Sequence, residues 1–225
     1  LTTKIDPVKN KINVTSFRMT EKAVIIETEN EEAAQKILSN KEIAEKFNCE
    51  RQRKRRPLVI LYNVPSTTTF EELSETVYIQ NFEDRMDKKE FQESFIPRFK
   101  TGPRDKPYVH IVTEVSPKLR KEIIEKRRLY SQFQAIAVKD YLTVARCTTC
   151  QDLGHTSKRC TKSTTICSHC GKENHTRKEC SLKNLPSVCI PCSIRKKSCN
   201  AKNSKECPTY QLLLKRVISK TDYGE

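Results

Sequence analysis

Short β-branched runs alternate with segments of helical spacing as far as residue 143 and predict an α+β fold of two small units. A periodic cysteine pattern beyond residue 143 predicts an array held by metal instead of a core. An apolar stripe after Pro208 predicts a short C-terminal helix. The composition agrees with small units, since only 36% of the 225 residues are apolar and none is Trp.

Residues 1–50 read as half of an α/β unit. KINVTSF and AVIIET are strand candidates separated by RMTEK, and EEAAQKIL has helical spacing, with Thr28 and Glu31 as a capping box. Strand, strand, helix leaves the helix under-covered, so part of this unit is expected upstream of Leu1. The block RQRKRR, Arg51–Arg56, follows. It reads either as a solvated linker or as a backbone-contacting or nuclear-address segment.

Residues 57–143 give a fuller pattern. LVILYNV is a buried-type strand stopped by Pro65, and Thr68 with Glu71 is placed to cap a helix through FEELSETVYIQNF. SFIPRFKT and YVHIVTEV are strands joined by the turn-rich GPRDKP. KLRKEIIEKRRL is the second helix and FQAIAVKDYL the last strand. The order is βαββαβ, the split-βαβ arrangement.

Ten of the 11 cysteines lie between Cys147 and Cys207, with Cys49 alone outside. CTTCQDLGHTSKRC and CSHCGKENHTRKEC share one pattern, Cys-x2-Cys-x4-His-x4-Cys. Structural Zn²⁺ takes four tetrahedral thiolate or imidazole ligands, and Cys-x2-Cys is a turn that aims two sulfurs at one ion. The ligand sets are Cys147, Cys150, His155, Cys160 and Cys167, Cys170, His175, Cys180. A third cluster, Cys189, Cys192, Cys199 and Cys207, contains no His. It reads either as a four-thiolate site or as a degenerate loop in which Cys199 or Cys207 is idle. Three zinc ions per chain are expected, and His169, between two ligands, is expected at the surface. Such cysteine density would mean disulfides in a secreted domain. The interleaved His and the lack of a signal peptide point instead to a reducing compartment, cytoplasmic and/or nuclear.

The 43 Lys and Arg against 28 Asp and Glu give a net charge of +15, which suggests a polyanionic partner, RNA or single-stranded DNA. A membrane surface fits less well, because there is no lysine-rich amphipathic helix, no lipidation signal and no apolar run near the roughly 20 residues that span a bilayer. The candidate phosphate contacts are Lys158, Arg159, Lys162, Lys172, Arg177, Lys178 and Lys183. No Phe, Tyr or Trp lies between Cys147 and Cys207. Leu153, Ile190 and His169 are the remaining surfaces for a base, so sequence-tolerant binding is expected, with any preference set by backbone around Gly154 and Asn174. No small-molecule substrate is implied. A catalytic zinc needs an open position, whereas these sets supply four protein ligands each. RING-type gaps do not match, and no nucleophile–base pair is evident, so an enzyme is not expected.

Tyr210, Leu213, Leu214 and Val217 fall on one face of a helix that Pro208 is suited to open. That face either folds back on Val188, Ile190, Ile194 or the sheet, or docks on another protein.

The tandem pattern resembles the zinc knuckles of retroviral Gag nucleocapsids. Three consecutive clusters behind paired βαββαβ units resemble more narrowly the Gag-like first-frame proteins of insect non-LTR retrotransposons, of the Jockey and telomeric type. KIDPVKNKINVTSFRMTEKAVIIETENEEAAQKI is similar to the end of that family's first RRM-like domain, RPLVILYNVP to the opening strand of the second, and CPTYQLLLKRVISKTDYG to the segment closing the third knuckle. The resemblance implies a partial RRM-like domain at 1–50, a basic linker at 51–56, an RRM-like domain at 57–143, three zinc knuckles at 144–209 and a helix and tail at 210–225. It also implies packaging of element RNA into ribonucleoprotein particles, with self-association. An adaptor that joins proteins, with zinc only as scaffold, is the competing function. The departures are Cys199 where the family's third knuckle carries His, Thr148 and Ser168 where retroviral knuckles carry an aromatic, and Ile60 for the aromatic of the shorter RNP motif. KPYVHIVT aligns loosely with the longer RNP motif, placing Tyr108 and His110 at its stacking positions and Pro107 for Gly. The sheet then either stacks a base or serves as a structural or protein-binding surface.

Overall fold

A computed structural model describes residues 12–20, 23–41, 45, 47–51, 53–103, 105–199 and 206–224. The chain divides into two compact units, Leu1–Arg53 and Lys54–Glu225, so the boundary falls inside the basic block.

In the first unit β1 (Val14–Met19) pairs antiparallel with β2 (Val24–Thr28), and α1 (Glu31–Leu38) follows. Ile12, Ala33 and Ile37 form a small core with Ile26 and Cys49 against it. The expected Thr28–Glu31 box is not what caps α1. Thr28 still belongs to β2, and Asn30 Oδ1 accepts the Ala33 N–H at 2.9 Å. Asn caps a helix at least as well as Thr, and it stands where the chain turns.

The second unit opens with β3 (Leu58–Pro65), α2 (Phe70–Asn81), α3 (Lys88–Ser94) and β4 (Phe95–Thr101). It continues with β5 (Tyr108–Val115), α4 (Pro117–Lys126), β6 (Arg128–Ser131) and β7 (Gln134–Asp140). The five-stranded sheet has the order β4-β5-β3-β7-β6, and every described pairing is antiparallel. The expected βαββαβ elements are all present, with β3 central between β5 and β7. Alternate residues Val59, Leu61, Ile111, Val115 and Val138 face Leu73, Val77, Phe91, Leu119 and Ile123 of the helices in one core. Ile60 and Val112, opposite each other in the register, point to the other face and are buried as well.

Three details depart from the expected elements. The cap of α2 is Thr69, whose hydroxyl accepts the Glu72 N–H at 3.1 Å, one residue beyond the expected Thr68–Glu71 pair; Thr68 is itself buried. The seven-residue α3 runs straight into β4, its Phe91 stacked on Phe95 with ring centroids 5.1 Å apart. The second helix stops at Lys126, because Arg127 adopts a left-handed φ of 60° as its C-cap, and Arg128 and Leu129 become part of β6.

The described residues of the basic block are all exposed, and three of its arginines have partners. Arg51 pairs with Glu31 and donates to Gln35 Oε1 at 2.7 Å in the first unit. In the second, Arg56 donates to the Glu93 carbonyl, and Arg55 forms a parallel bridge with Thr221. Through that bridge the C-terminal end is fastened to the start of the unit, with Arg55 N–H on Lys220 O at 2.9 Å and Asp222 N–H on Arg55 O at 2.8 Å. Beyond it the Arg120 guanidinium, held by Asp140 at 2.7 Å, lies 4.6 Å from the centre of the Tyr223 ring. No helix of the described residues is long and apolar enough to cross a membrane.

Candidate metal centres

The first two clusters fold as matching repeats, because equal spacing imposes equal turns. The Cys147 N–H donates to Asp152 O and the Cys167 N–H to Lys172 O, both at 2.9 Å. The Gly154 N–H closes on Ala145 O and the Asn174 N–H on Thr165 O. Gln151 and Gly171, each four residues after the first cysteine, both take positive φ, 59° and 75°. Gly154 and Asn174 take φ of 102° and 62° at the next shared turn. Those two positions need residues that tolerate a left-handed backbone, and Gly and Asn are the ones that do so with least strain. The short 3-10 turns Ser157–Arg159 and Arg177–Glu179 then carry the chain to the fourth ligand.

In each of the three clusters the four candidate ligand atoms lie within 4.8 Å of one another. A Zn–S bond of about 2.3 Å in a tetrahedron puts sulfurs about 3.8 Å apart. Here Cys189 and Cys207 Sγ are 3.6 Å apart, and Cys192 and Cys207 Sγ 3.3 Å. The Nε2 atoms of His155 and His175 approach Cys150 and Cys170 Sγ at 3.4 and 3.3 Å. His175 Nδ1 is 3.1 Å from the Glu173 carbonyl, so the donating hydrogen sits there and the Nε2 lone pair turns to the cluster. Donor type, number and spacing all fit zinc. The third cluster brings Cys199 and Cys207 within reach of the same centre as Cys189 and Cys192, the arrangement that a four-thiolate site needs.

The thiols are unequal within each cluster. Burial alone would raise Cys147, but N–H donors from Cys150 and Thr149 and the thiols of Cys150 and Cys160 bring it down to about 6. Cys167 is brought to about 6 in the same way by Cys170, His169 and Cys180. Cys192 reaches about 6 through Thr209, Cys207 and Cys199 against the opposing effect of burial. Cys189 is pushed up to about 12, by burial first and then by its sulfur neighbours. Cys147, Cys167 and Cys192 thus ionise more readily than an ordinary thiol, while burial and the neighbouring sulfurs raise Cys150 and Cys180. A bound dication removes that crowding.

The clusters are not separate beads. Ile166, between the first two, and Ile190, in the third, are buried together with Cys147 and Cys150, with Cys160 against them. The Ile166 N–H donates to Thr149 O at 2.8 Å. Arg195 of the third cluster forms a two-point ion pair with Asp152 of the first, 2.7 and 3.3 Å, and also donates to Pro191 O. That pair draws the Asp152 carboxyl below its usual range despite its partial burial. His169 is buried, its Nε2 2.9 Å from Leu182 O, and its own carbonyl accepts the Val188 N–H, joining the second cluster to the third. The surface position expected for His169 is thus corrected, since its ring satisfies an internal carbonyl. Leu153 and Ile190 are buried too and are withdrawn as base-stacking surfaces, because an array with so few apolar residues uses them inside.

Cys207 is at once the last candidate ligand and the N-cap of α6 (Pro208–Ser219), with Pro208 in its first turn. This helix packs on α5 (Ile190–Ile194), and Thr209 Oγ1 lies 3.1 Å from Cys192 Sγ. Tyr210, Leu213, Leu214 and Val217 are its half-covered side. Tyr210 is close enough to raise the Tyr141 phenol, which burial raises first. The folded-back reading of the helix is the one the structure follows.

Lys158, Arg159, Lys162, Lys172, Arg177, Lys178 and Lys183 are all exposed on the first two clusters and the segment after them. Tyr108 and His110 both lie on β5. Tyr108 lines a 430 Å³ cleft with Tyr62, Asn63 and Gln134. His110 is half-buried, edge-on to Tyr62 at 4.9 Å, and its Nδ1 accepts the Asn63 N–H at 3.2 Å. Tyr62 and Gln134 were not singled out by the sequence; their signal is only their place close to Tyr108 and His110 in the sheet.

No family model matches the chain, and no solved structure matches it. Over 186 residues, 81% of the chain, it is 26% identical to the "Uncharacterized 50 kDa protein in type I retrotransposable element R1DM" of Drosophila melanogaster. The matched stretch spans 39% of that relative's length. Mixed α and β structure, three clusters of metal-ligand type and similarity to a retrotransposon protein thus meet in one chain.

Proposed function

We propose that the chain is the nucleic-acid-binding part of a Gag-like retroelement protein that holds RNA, or single-stranded DNA, in ribonucleoprotein particles. The observation that carries this reading is the packed array itself: three four-donor clusters locked as one block whose exposed side chains include seven cations on the two repeats and the segment after them. A rigid cationic block loses little conformational freedom when it meets a phosphate backbone, and the counterions it releases supply the affinity. Aromatic side chains are missing from the whole span Cys147–Cys207, which supports recognition of charge over base. The split-βαβ unit is read as RRM-like, with Tyr62, Tyr108 and His110 offering at most a local base contact beside a sheet face that is otherwise buried at Ile60 and Val112. The four-donor zinc sites act as structure, without an open coordination position, so no catalysis is assigned. The likeness to an R1 element protein supports a retroelement role.

The test is binding of zinc-loaded protein to labelled single-stranded RNAs across a salt series. Changing Lys158 and Arg159 together to Ala should weaken every sequence alike and reduce the salt slope by roughly 0.7 for each phosphate no longer neutralised. Weakening confined to one sequence would point to base readout. No measurable RNA binding at low salt would leave the zinc array as a scaffold between proteins.

A further inference from the structure

The sheet face turned away from the helices is closed over one half and open over the other. Phe99, Val112 and Ile60 lie side by side across β4, β5 and β3, and there the Phe99 and Tyr141 rings meet with centroids 6.0 Å apart. Farther along the same strands a bulge interrupts β3. Leu61 pairs with Ile111 and Val64 with Val109, so Tyr62 and Asn63 together oppose His110 alone. The Asn63 N–H, left over by the ladder, donates to His110 Nδ1 at 3.2 Å. Asn63 bears a φ of 56°, which Asn accepts with less strain than most residues. That bond fixes the His110 ring edge-on to Tyr62, with centroids 4.9 Å apart. On β7 the outward positions are Ala135 and Ala137, both exposed. Two methyl groups in place of longer side chains keep the floor low. With Tyr62, Tyr108, Asn63 and Gln134 they line the 430 Å³ cleft.

These groups suit one base of a single strand. Tyr62 and Tyr108 offer aromatic surface, on which any base can stack. Asn63 and Gln134 carry amides that both donate to and accept from a base edge. The charges of the face suit an anionic chain. Arg128 pairs with Ala137 in the register, and Lys139 stands two residues beyond Ala137, so an exposed cation lies on two sides of the floor. Glu114, the carboxylate that the register places on this face, is paired with Arg98 at 2.7 Å. The turn before Tyr108 carries Asp105 and Lys106, whose charges offset each other. A base with its neighbouring phosphates uses the rings, the amides and both cations. An apolar side chain of a protein would use the rings alone.

We infer that this cleft takes one base of the bound single strand, stacked against Tyr62 and Tyr108 and read at its edge by Asn63 and Gln134, with Arg128 and Lys139 at the adjoining phosphates. This inference rests on the nucleic-acid reading above and deepens it. The clusters hold the strand by charge, and the cleft is where the chain tells one base from another.

The test is binding of the full zinc-loaded chain to RNA strands made of adenosine, cytidine or uridine alone, beside the matching nucleoside monophosphates. Ala135→Leu raises the floor from an exposed position, and Tyr108→Ala removes one exposed ring. Each should weaken the best-bound strand about tenfold, as for loss of one stacked base, and narrow the differences among the three. Zinc content, thermal midpoint and salt slope should stay at wild-type values. Tyr108→Phe, which keeps the ring, should keep the wild-type ranking. Ultraviolet crosslinking should mark Tyr62 or Tyr108. Lys158→Ala with Arg159→Ala should do the reverse, reducing the salt slope and leaving the ranking of strands intact. If Ala135→Leu and Tyr108→Ala bind all three strands as wild type does, the cleft is not a base site and its rings serve another protein. A monophosphate that binds as tightly as its strand overturns the strand as occupant. Absence of binding to every strand at low salt overturns the nucleic-acid reading itself, a result distinct from strands that bind without using the cleft.

Discussion

Ile190 is not a metal ligand, and its removal offers the sharpest test of whether the clusters form one block. It is 4% exposed, and the buried residues grouped with it are Cys147 and Cys150 of the first cluster and Ile166 before the second. A Cβ on Gly171 of the second cluster would also meet its side chain at 3.5 Å. Ile→Ala in a core costs about 2–5 kcal/mol, and a small, surface-near site sits at the low end, near 2 kcal/mol. At about 1.4 kcal/mol per factor of ten, that is roughly a thirtyfold gain in the population of the loosened block. Zinc transfer to a chromophoric chelator reads this out. All three ions should leave Ile190→Ala together and roughly thirtyfold more readily than wild type. If only the third cluster releases faster, with the other two at wild-type rates, the buried contacts do not couple the sites and the block description fails.

Elemental analysis should give three zinc ions per chain; two would remove the four-cysteine site. Chelation should unfold the array, as structural zinc supplies about 10–16 kcal/mol in isolated finger peptides, while hydrogen exchange in β3, β5 and β7 stays protected. Thr113 is fully buried on β5 and its hydroxyl has no hydrogen-bond partner, so Thr113→Val should raise stability by about 1 kcal/mol, read from the denaturant midpoint. Leu213→Glu with Leu214→Glu should open the third cluster to chelators before the other two, since α6 begins at the ligand Cys207 and packs on α5; equal rates would show that the helix does not support the site.

The ligand sets were legible because metal coordination is written in spacing, and tandem spacing is hard to produce otherwise. The strands of the sheet were legible from alternation and β-branching, as in LVILYNV and YVHIVTEV. Helix starts were misplaced by one or two residues, because Thr68, Thr69, Thr28 and Asn30 are all competent caps and tertiary contacts choose among them. The end of α4 had no signal, since Arg127 takes a left-handed turn usually given to Gly. The packing of the clusters was illegible for a different reason. Ile166 and Ile190 are isolated apolar residues without a period, and Asp152 and Arg195 are 43 residues apart. Such long-range choices are made in three dimensions and leave no local pattern. His169 belongs with them, because only the fold shows the Leu182 carbonyl that takes its ring.

The bridge between Arg55 and Thr221 makes the beginning and the end of the larger unit neighbours. The path from one to the other runs through the sheet, the three clusters and α6, and the bridge clasps its two ends together. Units whose ends adjoin tolerate being cut open elsewhere and rejoined at the clasp. Because the bridge is parallel, segments attached before residue 55 and after residue 221 would leave it at opposite ends, and a pull applied between them would shear the clasp before it reached the sheet or the three clusters.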